Sequence, residues 1–153
     1  GGDSTLKKIS AVRVFGLLGW IGLTLGFAAA SILFALVWSV RLARGKISKG
    51  ATISIRVWPL LTSAVLFLAL FTPNIFKPGI EDMGRVSLAN LVIFICTSVY
   101  PLLAIYSLFN SYRLRAAMMN RALYWYSLSL GVLHGGLALC LGYYGLWAVR
   151  MWA

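Results

Sequence analysis

Four apolar runs, at residues 14–40, 57–71, 88–109 and 122–149, follow one another through the chain and contain no Lys, Arg, Asp or Glu. A helix rises about 1.5 Å per residue, so roughly 20 apolar residues cross the hydrocarbon core of a bilayer. Three of the runs reach that length unaided. The second reaches it when its helix begins near Ile53 and includes Arg56, whose long side chain can snorkel to the interface. The composition agrees: 61% of residues are hydrophobic and 11% charged, against about 25% charged in a soluble domain. A water-soluble core of this size has nowhere to hide that much apolar surface. The expected fold is all-α, a four-helix transmembrane bundle in one membrane domain, with spans near 12–42, 53–72, 87–110 and 121–149.

The net charge of +11 does not point to nucleic acid, because the basic residues lie in the joints between spans and form no aromatic-interleaved face. Arg41, Arg44, Lys46, Lys49 and Arg56 crowd the first joint, and Arg113, Arg115 and Arg121 the third. The second joint sets Lys77 and Arg85 against Glu81 and Asp82. The positive-inside rule therefore puts the first and third joints in the cytoplasm and both termini outside. Lys7, Lys8 and Arg13 pull the other way. The expected partners are the bilayer itself and anionic lipids at its cytoplasmic face.

Small residues form stripes at helical spacing. Gly19, Gly22 and Gly26 mark one face of the first helix, and Gly131, Gly135 and Gly142 one face of the fourth. Lipid supplies no hydrophobic force between helices, so close packing at small residues must serve. These faces are the expected helix–helix contacts, within one chain or between chains, and Leu137 falls off them. Other local signals are a Ser87 N-cap, a first-turn Trp58-Pro59, a helix stop at Thr72-Pro73-Asn74, and Pro101 inside the third span, where Thr97 can help satisfy the backbone.

Chemistry has few footholds within the spans. His134 is the single histidine, so a bis-histidine haem has no second ligand, and no acidic residue stands in any span to complete a metal site. A neutral imidazole bonded to a neighbouring helix is the expectation. Asn90 is read the same way, as interhelical glue. Cys96 and Cys140 lie mid-span, where thiols act as small hydrophobes. Ser4 and Lys7 formally match a Ser-x-x-Lys pattern, but no companion motif follows. No cofactor, metal or catalytic role is expected of this segment.

Three patches resemble one known family. They are Ser31-Ile32-Leu33-Phe34-Ala35-Leu36-Val37-Trp38 with Arg41, then Ile55-Arg56-Val57-Trp58-Pro59-Leu60-Leu61, then the ending from Tyr143 to Trp152. Together they are similar to the C-terminal transmembrane domain of bacterial serine hydrolases related to class C β-lactamases. The resemblance implies a membrane anchor for an extracytoplasmic hydrolase domain lying upstream, with the catalytic residues in that domain and none here. The absence of an initiator Met points the same way. The alternative is a small transport or sensor subunit, whose mark is ionisable groups along an intramembrane route.

Overall fold

The computed structural model of the chain describes residues 11–45, 50–77, 85–117 and 120–149. Within them lie four α-helices: α1 (Ala11–Ala43), α2 (Ala51–Phe76), α3 (Leu88–Arg113) and α4 (Arg121–Tyr143). They hold 33, 26, 26 and 23 residues, and each is long and apolar enough to cross a membrane. The chain is a multi-pass membrane protein built as an all-α bundle. Successive helices run antiparallel. Arg56, early in α2, lies over Trp38, late in α1, and Ser54 bonds to Asn110 near the end of α3. The most extensive contact is between α2 and α3, followed by α3 with α4, while α1 packs on both α2 and α4.

The helix ends follow local chemistry. Ser87 caps α3 by accepting from the Asn90 backbone N–H at 3.2 Å. Asn120 caps α4 in the same way, through the Leu123 N–H at 3.1 Å. Three boundaries depart from the sequence reading. The helix α2 starts at Ala51, so Pro59 lies well inside it and not in its first turn. It also passes through Pro73 to Phe76. Pro73 removes one backbone hydrogen bond and crowds the carbonyl one turn back, yet the helix continues to Phe76, and the Lys77 N–H, in a left-handed residue at φ 42°, closes the end by donating to the Pro73 carbonyl. At the other end of the chain, α4 stops at Tyr143, six residues before the expected 149. There Gly145 adopts φ 70°. Its N–H donates to Gly142 and the Leu146 N–H to Leu141, the paired bonds of a Schellman motif.

The residues after that turn fold back over the bundle. Trp147 Nε1 donates to the Ala138 carbonyl at 2.7 Å, and the Val149 N–H donates to the Thr97 hydroxyl at 3.2 Å. Thr97 itself donates to the Ile93 carbonyl at 2.8 Å. Its role is thus double: it satisfies its own helix and clasps Val149, beyond the turn, to α3.

The interior mixes polar with apolar side chains. Leu66, Tyr100, Ala104, Leu137 and Ala138 form the apolar core, with Trp20, Ile21, Leu25, Val65 and Leu141 against it. Thr24, Ser31, Thr62, Ser63, Asn90 and His134 are buried alongside, whereas Phe15, Leu33, Leu36, Leu102 and Leu139 point outward. Water would penalise that outer surface; lipid does not. Buried hydroxyls are satisfied mostly along their own helices, Thr24 on Trp20, Thr62 on Trp58 and Thr72 on Leu68, each one turn back.

Candidate functional site: the polar lock at His134

Three helices converge on one imidazole. His134 of α4 is 0% exposed. Its Nε2 lies 3.0 Å from the Ser63 hydroxyl of α2, and its Nδ1 lies 2.9 Å from the Tyr100 hydroxyl of α3. The protons can be assigned from the network. Ser63 has a single hydroxyl proton and donates it to the Pro59 carbonyl at 2.9 Å. It therefore accepts from Nε2–H. Nδ1 is left with its lone pair and accepts from the Tyr100 O–H. The opposite tautomer would send the Tyr100 proton to the His134 carbonyl at 3.4 Å, a longer bond, and would take Ser63 from its carbonyl.

A serine is activated when an imidazole lone pair takes its proton. In this tautomer the imidazole instead donates to the serine. Both ring nitrogens are consumed, and no atom of the residue faces solvent. The arrangement ties α2, α3 and α4 together at one depth, and each hydrogen bond spares a polar group from hydrocarbon.

Further cross-links lie at other depths. The Trp20 indole N–H of α1 donates to the Leu133 carbonyl at 3.3 Å. Tyr126 of α4 donates to the Phe27 carbonyl at 3.4 Å and stacks on the Phe27 ring at 6.1 Å. The Asn110 amide of α3 donates to Ser54 at 3.2 Å. Trp58 and Tyr106 meet edge to face at 4.4 Å. The Asn90 side chain closes its own entry turn, its amide donating to the Arg85 carbonyl at 2.9 Å.

The glycine stripes divide. A Cβ at Gly131 would stand 3.4 Å from the Leu108 Cα, so α3 and α4 approach closely there. At Gly135 the nearest atom is the Leu108 side chain at 4.0 Å, an ordinary contact. A Cβ at Gly142 would stand 2.8 Å from Trp147 Cε2, so this glycine faces the residues beyond the turn. Gly19, Gly22 and Gly26 meet nothing within 4 Å. Within this chain the stripe is not a packed face, because α1 turns the other face inward, with Thr24, Ala28 and Ser31 buried. Leu137, expected off the packed face, is a core residue at 5% exposure.

The tightest approach is at Gly136. A Cβ there would lie 2.5 Å from Trp20 Cζ2 and 3.0 Å from Trp20 Nε1. Sequence reasoning also missed Ser63, Tyr100 and Trp147. Each is a hydrogen-bonding side chain inside or beside an apolar run, which is the signal that singled out His134. Cys96 and Cys140 are free thiols, and Ser4 and Lys7 lie outside the described residues. Among the described residues no three His, Cys, Asp or Glu gather into a metal-binding group. Comparison with protein-family models, curated proteins and solved structures finds no match to this chain.

Proposed function

We propose that this bundle is a membrane anchor that does no chemistry itself and holds a domain of the same polypeptide at the outer face of a bacterial cytoplasmic membrane. The observation that carries the reading is the lock at His134. The one imidazole in the spans is enclosed, and its two nitrogens are engaged by Ser63 and Tyr100. The group best suited to a proton path or a ligand site is thus used to fasten helices. A transport route needs ionisable groups facing a passage. On this reading the attached domain precedes α1, and the resemblance to the tails of β-lactamase-related enzymes makes it a serine hydrolase. The basic residues flanking the α1–α2 and α3–α4 joints, with no acid among them, support a cytoplasmic position for those joints.

Reporter fusions ahead of Gly1 test the reading. Alkaline phosphatase, which folds outside the cell, should be active there and should resist alkaline extraction from membranes. A fluorescent protein that requires the cytoplasm should be dark. In intact cells an impermeant thiol reagent should reach a cysteine placed at Asn74 and miss one placed at Lys46, with Cys96 and Cys140 replaced by Ala. The reverse pattern in both assays would remove the extracytoplasmic anchor. Fluorophosphonate labelling of the purified segment should be absent, and labelling at any serine within it would make the bundle part of an enzyme's site.

A further inference from the structure

One end of the bundle contains a cavity of about 400 Å³ between α1, α2 and α4. It is the end that carries the basic α1–α2 and α3–α4 joints. Arg41 of α1 and Arg56 of α2 both line it. The Arg56 guanidinium lies 6.0 Å from the centre of the Trp38 ring, which steadies it by a cation–π contact. Its Nε is buried with no hydrogen-bond partner among the described residues. A buried, charged donor without an acceptor is costly, and such groups are normally paired. No carboxylate among the described residues lines the cavity, and the chain's three acidic residues, Asp3, Glu81 and Asp82, belong to other segments of the sequence.

The remaining walls narrow the chemistry of what fits. Ser31, Tyr126 and Ser127 contribute hydroxyls. Asn120, the N-cap of α4, also borders the cavity, so the positive end of a 23-residue helix faces the same space. Phe34, Val37 and Leu123 supply an apolar side. Two cations and a helix N-terminus select an anion, and a guanidinium fork suits phosphate. An apolar wall at the edge of a transmembrane bundle suits an acyl chain.

We propose that this cavity binds one anionic phospholipid, its phosphate held by Arg41 and Arg56 and its acyl chain lying along Phe34 and Leu123. This goes beyond attraction of anionic lipid to basic loops, because it assigns one molecule to one site with named ligands. The site does not depend on whether another domain is attached to α1, so its test is independent of the anchor reading.

The experiment uses the protein purified in a neutral detergent and stripped of lipid. Phosphatidylglycerol, phosphatidylcholine and inorganic phosphate are titrated separately. Thermal unfolding and native mass spectrometry report binding. Phosphatidylglycerol should raise the unfolding temperature saturably and remain as one retained molecule. Arg56→Gln and Arg41→Gln should each weaken its apparent affinity about tenfold. Arg113→Gln and Arg115→Gln, which alter exposed charges outside the cavity, should leave it unchanged. If Arg56→Gln does not fold, Arg41→Gln decides, since Arg41 is exposed at the end of α1. Unchanged phosphatidylglycerol binding in Arg41→Gln, or equal binding of phosphatidylcholine, overturns the site. Inorganic phosphate that saturates the protein and displaces phosphatidylglycerol shows a free-phosphate site and overturns the lipid assignment.

Discussion

Gly136→Ala should lower the unfolding temperature of the purified bundle, while Gly135→Ala, one residue earlier, should leave it nearly unchanged. The two positions differ in what a methyl group meets. At Gly136 it would lie 2.5 Å from Trp20 Cζ2, inside any tolerable contact, whereas at Gly135 it would lie 4.0 Å from Leu108 Cδ2. Trp20 cannot yield without consequence. Its indole N–H donates to the Leu133 carbonyl, and its ring packs against the core formed by Leu66, Tyr100 and Leu137. Moving it opens the α1–α4 contact and leaves the indole N–H without its acceptor. Overpacking of this kind costs about 1–3 kcal/mol. Gly22→Ala is the control, because its methyl group enters open space. It should be neutral or stabilising, by up to about 1 kcal/mol from the reduced freedom of the unfolded chain. Equal unfolding temperatures for the Gly136 and Gly135 variants would remove Trp20 as the wedge that seats α1.

That contrast also marks what could be seen in the sequence. The four spans were legible because hydropathy acts on whole runs and the absence of charge over 20 residues has one main explanation. Ser87 was legible as a cap because the cap is a local hydrogen bond. The orientation of α1 was not. Its glycine stripe and its Thr24–Ala28–Ser31 stripe both carry small residues at helical spacing, and spacing alone does not say which stripe faces a neighbour. Trp20 settles the choice by filling the notch at Gly136, a contact 116 residues away along the chain. The end of α4 failed for a different reason. Tyr143 to Val149 is apolar enough to continue a span, and hydropathy is blind to the left-handed turn at Gly145. A Gly followed by Leu near the end of an apolar run was the available signal.

The site was half legible. His134 stood out as the single histidine, and a bond to a neighbouring hydroxyl was the natural expectation. Which hydroxyls was not readable, because Ser63 and Tyr100 are 71 and 34 residues away. Both lie next to features of their own helices. Ser63 is one turn after Pro59 and Tyr100 immediately precedes Pro101. The cavity at Arg56 was less visible still. Arg56 looked like a charge reaching for the interface. Its buried Nε and its partner Arg41 emerge only when α1 and α2 are set side by side.

His134→Ala should be among the most damaging single changes in the chain. It deletes a fully buried ring and opens a void among three helices. It also withdraws a donor from Ser63 and an acceptor from Tyr100. Large-to-small changes at buried sites cost about 2–5 kcal/mol. The hydrogen bonds add less than intuition suggests, since such bonds within membranes average about 0.6 kcal/mol and reach about 1.7. Part of the loss is recoverable. Ser63 keeps its bond to the Pro59 carbonyl, and Tyr100 can turn its proton to the residue 134 carbonyl, already 3.4 Å away. Packing should therefore dominate the effect of alanine. A double-mutant cycle separates the two contributions. Tyr100→Phe removes the hydroxyl and keeps the ring, so its coupling to His134→Ala measures the Nδ1 bond. The expected coupling is about 0.5–1.5 kcal/mol, read as unfolding free energy in detergent. A coupling near zero would show that the imidazole fills space at the centre of the bundle without fastening α3 to α4.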